Sequence, residues 1–94
     1  MAAEETIIDP LELLPAESIP RMRMRIDEID MAIIELWHER AELSRRIGAT
    51  RLANGGTRLV LSREAEVLHR FRDAIGSDGT QLALLLLRAG RGRL

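Results

Sequence analysis

Cysteine, lysine and tyrosine are all absent from this 94-residue chain, and tryptophan and phenylalanine occur once each. Without cysteine there is no disulfide framework and no thiolate chemistry. Stretches that favour strands are scarce, and Leu, Ala, Glu, Arg, Ile and Met dominate, so the expected class is all-α. The longest apolar run, Leu82 to Leu87, is far too short to span a membrane. The N-terminus has no basic stretch followed by an apolar core, so no signal peptide is expected and the cytoplasm is the expected compartment. Hydrophobic content of 46% with 31% charged residues describes one small globular domain.

What is present is arginine. All 14 basic residues are arginine, and the formal net charge of −1 conceals an asymmetry. Residues 1–20 carry five acids and no base, while residues 21–94 hold all 14 bases and ten of the 15 acids, a balance of +4. A GC-rich genome would also favour arginine over lysine, but it would not dictate where the arginines fall.

All three prolines (Pro10, Pro15, Pro20) lie in the acidic segment, so residues 1–19 read as an acidic, proline-containing arm and residues 20–94 as the folded domain. Ser18 and Pro20 mark a helix start. From there the helical pattern runs unbroken to about Leu52, roughly 33 residues or about 50 Å at 1.5 Å per residue. A helix that long with one continuous apolar stripe needs a second chain beside it, so a homodimer is expected. Asn54-Gly55-Gly56-Thr57 ends this helix, and residues 58–61 form a connector. Ser62 is the expected N-cap of a second helix reaching about Ile75. Gly76-Ser77-Asp78-Gly79 is the next break. A third helix is expected over about Thr80 to Ala89, followed by a pliable Gly90-Arg91-Gly92-Arg93-Leu94 end.

The first helix carries the stripe Met22, Ile26, Ile29, Ile33, Leu36, Arg40, Leu43, Ile47. Arg40 is its one polar member. A guanidinium cannot escape burial by losing its proton, and an unpaired charge among aliphatic side chains costs several kcal/mol. Arg51, eleven residues on, projects from the same face to within about 20° and lies roughly 16 Å along the axis. In the second helix Glu64 interrupts the stripe Val60, Val67, Leu68, Phe71, Ile75. Two readings follow. Either Arg40 and Glu64 form an internal ion pair in a non-catalytic helical dimerisation or regulatory module, or the arginines bind a ligand. Their excess over inward-facing acid favours a ligand with more than one carboxylate, which arginine holds bidentately. Other chemistry has little support. His38 and His69 lack a metal-ligand pattern. Ser44 and Ser62 lack a catalytic histidine pattern, and Gly55-Gly56 is a turn and no phosphate loop. Trp37 and Phe71 read as core or interface and Asp30 as a structural hydrogen-bonder. Arg88, Arg91 and Arg93 make a thin case for nucleic acid.

The string Arg23-x-x-Ile26-x-x-Ile29-Asp30, then Glu39-Arg40, Ile47-Gly48-x-x-Arg51 and Ser62-Arg63-Glu64 resembles the all-helical, AroQ-type chorismate mutases over about residues 20–94. The Gly55–Val60 loop and the Gly90–Leu94 end are similar to the short actinobacterial subgroup. The resemblance implies an intertwined helical homodimer of one long and two short helices per chain. It also implies the pericyclic rearrangement of chorismate, a dicarboxylate, to prephenate in the shikimate route to the aromatic amino acids, with no cofactor and no metal. Residue by residue, it implies that Arg40 grips the side-chain carboxylate, joined by Arg23 from the other chain. Arg51 then contacts a carboxylate and the ether oxygen, Arg63 lies near the ring carboxylate, and Glu64 binds the hydroxyl. Val60 stands where better-known members have an aspartate, and Leu87 and Arg91 replace small polar residues that close the pocket. These departures imply a pocket completed by a partner. In the subgroup that partner is 3-deoxy-D-arabino-heptulosonate 7-phosphate synthase (DAHP synthase), which boosts activity. An isochorismate pyruvate lyase-like relative is the alternative activity; neither nucleic acid nor membrane is an expected partner.

Overall fold

The computed structural model describes residues 13–91. After a short 3-10 turn at Ala16–Ser18 come three α-helices: α1 (Ile19–Ala53), α2 (Leu61–Ile75) and α3 (Ser77–Arg91). Among the described residues there is no strand, as the composition predicts. The expected arm lies largely outside the described residues, as do Gly92, Arg93 and Leu94. The chain divides into two compact units, one ending at Ile34 and one beginning at Glu35.

In the first unit the Ser18 amide and hydroxyl both donate to the Pro15 carbonyl, at 3.0 and 2.6 Å. Pro20 sits in the first turn of α1, where a missing N–H leaves no helical bond unmade. The apolar residues of this unit are exposed: Met22, Ile26, Ile29 and Ile33 keep between 41% and 59% of their surface.

In the second unit α1 ends as the glycines predict. Gly56 donates to the Arg51 carbonyl at 2.7 Å and Gly55 to Leu52 at 3.2 Å, with Gly55 at φ 82°. This is the paired closure of a Schellman motif, and the left-handed φ is why glycine stands there. It fixes the turn that carries Arg51.

The start of α2 differs from expectation. Val60, with extended backbone, occupies the cap position and makes no side-chain capping bond, while Ser62 is already helical. The turn closes through the backbone instead, Glu64 N–H donating to the Val60 carbonyl at 3.1 Å. The third helix is longer than expected at both ends. Only Gly76, at φ 99°, breaks the chain between α2 and α3. Gly79 and Gly90 are helical and buried, Gly79 because the Phe71 backbone passes close to it and Gly90 because the Ser44 side chain does. A Cβ at Gly79 would collide with the Phe71 carbonyl oxygen and lie 2.7 Å from its carbon. The pliable end is thus corrected at Gly90 and Arg91, which close α3.

α2 and α3 pack as an antiparallel pair. Phe71 meets Gly79, and Val67 meets Ala83 and Leu87, around a core in which Val67 and Ala83 keep 1% and 0% of their surface. Leu68 and Phe71 pack against this cluster from the side. This small core fixes one wall of the site.

Candidate active site

Helical phase brings the α1 residues together. Arg40, Ser44, Ile47 and Arg51 follow one another at intervals of four, three and four, so they line one face. On the facing elements, the same 60–67 segment that packs Val67 into the core turns Val60, Arg63 and Glu64 toward that face, and the last turn of α3 adds Leu87, Gly90 and Arg91. Together these residues, with Leu43, Gly48 and Arg58, line a cavity of about 290 Å³. All of it belongs to the second unit. Seven residues expected at the site (Arg40, Arg51, Val60, Arg63, Glu64, Leu87 and Arg91) are therefore brought to one cavity. The eighth, Arg23, belongs to the first unit.

The electrostatics of the cavity are one-sided. Five arginines (40, 51, 58, 63 and 91) line it, against Glu64 as its one carboxylate. Arg40 is half-buried and its Nη1 donates to the Leu86 carbonyl at 3.2 Å. Its pKa is lowered from the ordinary arginine value, first by loss of water on burial, then by repulsion from Arg63 and Arg70. It stays protonated, since no side chain in a protein removes that proton near neutrality. The internal Arg40–Glu64 pair considered from the sequence does not form. Glu64 instead faces Arg91, with Oε1 and Nη1 3.6 Å apart and both side chains mostly covered. The reason is position: Arg91 ends α3 directly across the antiparallel pair from Glu64, while Arg40 reaches a carbonyl in the last turns of α3. Arg63 has an exposed ion pair with Glu66 at 3.2 Å. The Arg51 side chain makes no hydrogen bond or ion pair among the described residues.

A cavity that holds several guanidiniums beside one carboxylate disfavours its own charges. An incoming dianion would relieve that repulsion and accept bidentate hydrogen bonds. Sequence reasoning missed several lining residues. Ser44 and Gly48 lie one and two turns after Arg40 and were legible from phase alone. Gly90 and Arg58 were not, because they lie outside α1, on α3 and on the connector, whose facing toward Arg40 is set by packing and not by the phase of one helix. His38 and His69 do not line the cavity.

Residues 22–84 match the family described as chorismate mutase type II. The chain belongs to that family. It is accordingly an enzyme, an isomerase. The intracellular chorismate mutase of Mycolicibacterium smegmatis is 54% identical over 76 residues, covering 81% of this chain and 73% of that protein. That of Mycobacterium tuberculosis is 49% identical over 87 residues, covering 93% and 82%. The chorismate mutase of Corynebacterium glutamicum, solved in a non-covalent complex with DAHP synthase and with a transition-state analogue bound, superposes with a TM-score of 0.77. It is 42% identical, and the match covers 83% of this chain and 94% of that one. The expected short actinobacterial type of this family is thereby met.

Proposed function

We propose that this chorismate mutase works at the arginine-lined cavity and as a homodimer. The rearrangement breaks one carbon–oxygen ether bond and forms one carbon–carbon bond, with no net transfer of protons or electrons. The protein's task is then to hold the compact conformer and to stabilise charge building on the ether oxygen. Arg40 grips one carboxylate, its guanidinium oriented by the Leu86 carbonyl. Arg51 reaches a carboxylate and the ether oxygen, Arg63 the ring carboxylate, and Glu64 accepts from the substrate hydroxyl. Val60, Leu87 and Arg91 close the cavity around the ring. Arg23 of the partner subunit adds the second guanidinium at the Arg40 carboxylate. The observation that carries this reading is the set of five arginines around a single glutamate in one cavity.

The homodimer is supported by the α1 stripe. Ile26, Ile29 and Ile33 of the first unit keep between 41% and 59% of their surface, and Leu36, Leu43 and Ile47 of the second between 50% and 62%, so each unit leaves an apolar run exposed on its part of the helix. Ile33→Asp is expected to shift the sedimenting species from dimer to monomer and to abolish turnover. Residues 20–94 form the mutase domain in this reading and residues 1–19 an appended acidic arm. The cytoplasm is the proposed compartment; among the described residues no helix is long and apolar enough to cross a membrane.

DAHP synthase is the proposed protein partner, supported by the complex formed by the Corynebacterium relative. Loss of the diene absorbance of chorismate, with prephenate identified as product, tests the activity. Pyruvate as product, or no turnover with and without the synthase, overturns it. A rate unchanged across a titration of the synthase overturns the partner.

A further inference from the structure

The last turn of α3 meets α1 at a point where no side chain fits. A Cβ on Gly90 would lie 2.6 Å from the Ser44 Cβ and closer still to its Oγ. Contacts of that length do not occur, so the approach exists only because residue 90 is glycine and residue 44 is small. Two guanidiniums of α1 hold the last two turns of α3 by their carbonyls: Arg40 donates to Leu86 at 3.2 Å and Arg45 to Ala89 at 3.5 Å. Arg45 is itself steadied by Glu42, 3.2 Å from its other nitrogen. These carbonyls stand at the negative end of the α3 dipole, where a cation is favoured. Arg91 follows directly and reaches Glu64.

We propose that the Gly90–Ser44 approach, assisted by Arg45, is the device that seats the end of α3 and so places Arg91 in the cavity. Gly90, Ser44 and Arg45 are then positioning residues for the rearrangement, acting through Arg91. The inference rests on the reading of the cavity as the mutase site. A side chain at position 90 lifts the turn from α1 and moves Arg91 by an ångström or more, a displacement that can cost about a hundredfold where geometry is critical.

The test is chorismate turnover by the full chain, with circular dichroism as the check on folding. Gly90→Ala is expected to lower kcat/KM at least about tenfold, a conservative share of that misplacement cost. Adding Ser44→Gly, which removes both colliding atoms, is expected to restore it to within about threefold of wild type, the residual reflecting the extra helical glycine. In the Gly90→Ala background Arg91→Ala is expected to cost little more, because two changes that act through one contact do not add. A smaller fall than tenfold, a double variant no better than Gly90→Ala, or full additivity with Arg91→Ala overturns the inference. If Gly90→Ala does not fold, Arg45→Ala decides. It alters an exposed side chain, and the inference requires a fall in kcat/KM that vanishes in the Arg91→Ala background; no fall, or one that persists there, overturns it. Failure of the wild-type chain to turn over chorismate would instead refute the reading of the cavity.

Discussion

Replacing Arg40 by alanine tests the central claim most directly. In the folded chain its guanidinium is half-buried, donates to the Leu86 carbonyl and is crowded by Arg63 and Arg70. Removing one partner of a desolvated, hydrogen-bonded charge pair costs about 2–5 kcal/mol. Arg40 is only partly covered, so the middle of that range, about 3 kcal/mol, is the expected loss of transition-state binding. At 1.36 kcal/mol per decade this is roughly a 150-fold fall in kcat/KM. Stability should respond far less. The lost hydrogen bond to a carbonyl is worth about 1.5–3 kcal/mol, but it is offset by relief of the desolvation and repulsion that lower the Arg40 pKa. A net change within about 1 kcal/mol corresponds to a shift in Tm of no more than about 4–8 °C for a domain this size. Arg40→Lys keeps the charge and loses the planar fork, so an intermediate fall of about tenfold is expected. The assay is initial-rate chorismate consumption alongside thermal melting. An Arg40→Ala chain that keeps its fold and at least about a fifth of wild-type kcat/KM would refute the reasoning, since one decade of loss already requires only 1.36 kcal/mol.

Glu64→Gln removes the cavity's one carboxylate and replaces a charge-assisted acceptor. The expected loss is about 1.5–3 kcal/mol of transition-state binding, or roughly 10- to 150-fold in kcat/KM, read in the same assay with melting little changed. Gly79→Ala sets a methyl group against the Phe71 carbonyl and should destabilise the chain by about 1–3 kcal/mol, read from urea unfolding. Glu42 provides a pH signature. Its carboxyl is held below the ordinary 4.5 first by hydrogen bonds from Arg45 and then from Arg46. A carboxyl whose pKa is depressed on folding adds stability that is present above its unfolded pKa and lost as pH falls through the folded one. The Tm difference between wild type and Glu42→Gln should therefore be constant above pH 4.5 and shrink below it; a difference that grows on acidification contradicts the sign.

Much of this protein was determined by its sequence alone. The long helix was legible because its apolar stripe keeps one phase from Met22 to Ile47, and its end because Gly55 supplies a left-handed φ. Arg40 and Arg51 could be assigned to one face by counting residues. That reasoning works within a helix, where 3.6 residues per turn is fixed by backbone geometry. It has no purchase on what faces what across separate helices. Only the tertiary structure decided that Glu64 turns to Arg91 and that Arg40 turns to a carbonyl of α3. It also decided that α3 extends through Gly79 and Gly90. In the sequence both glycines read as breaks, since glycine weakens an isolated helix. In the fold each lies where a neighbouring segment comes too close for any Cβ, and that closeness depends on the packing of all three helices.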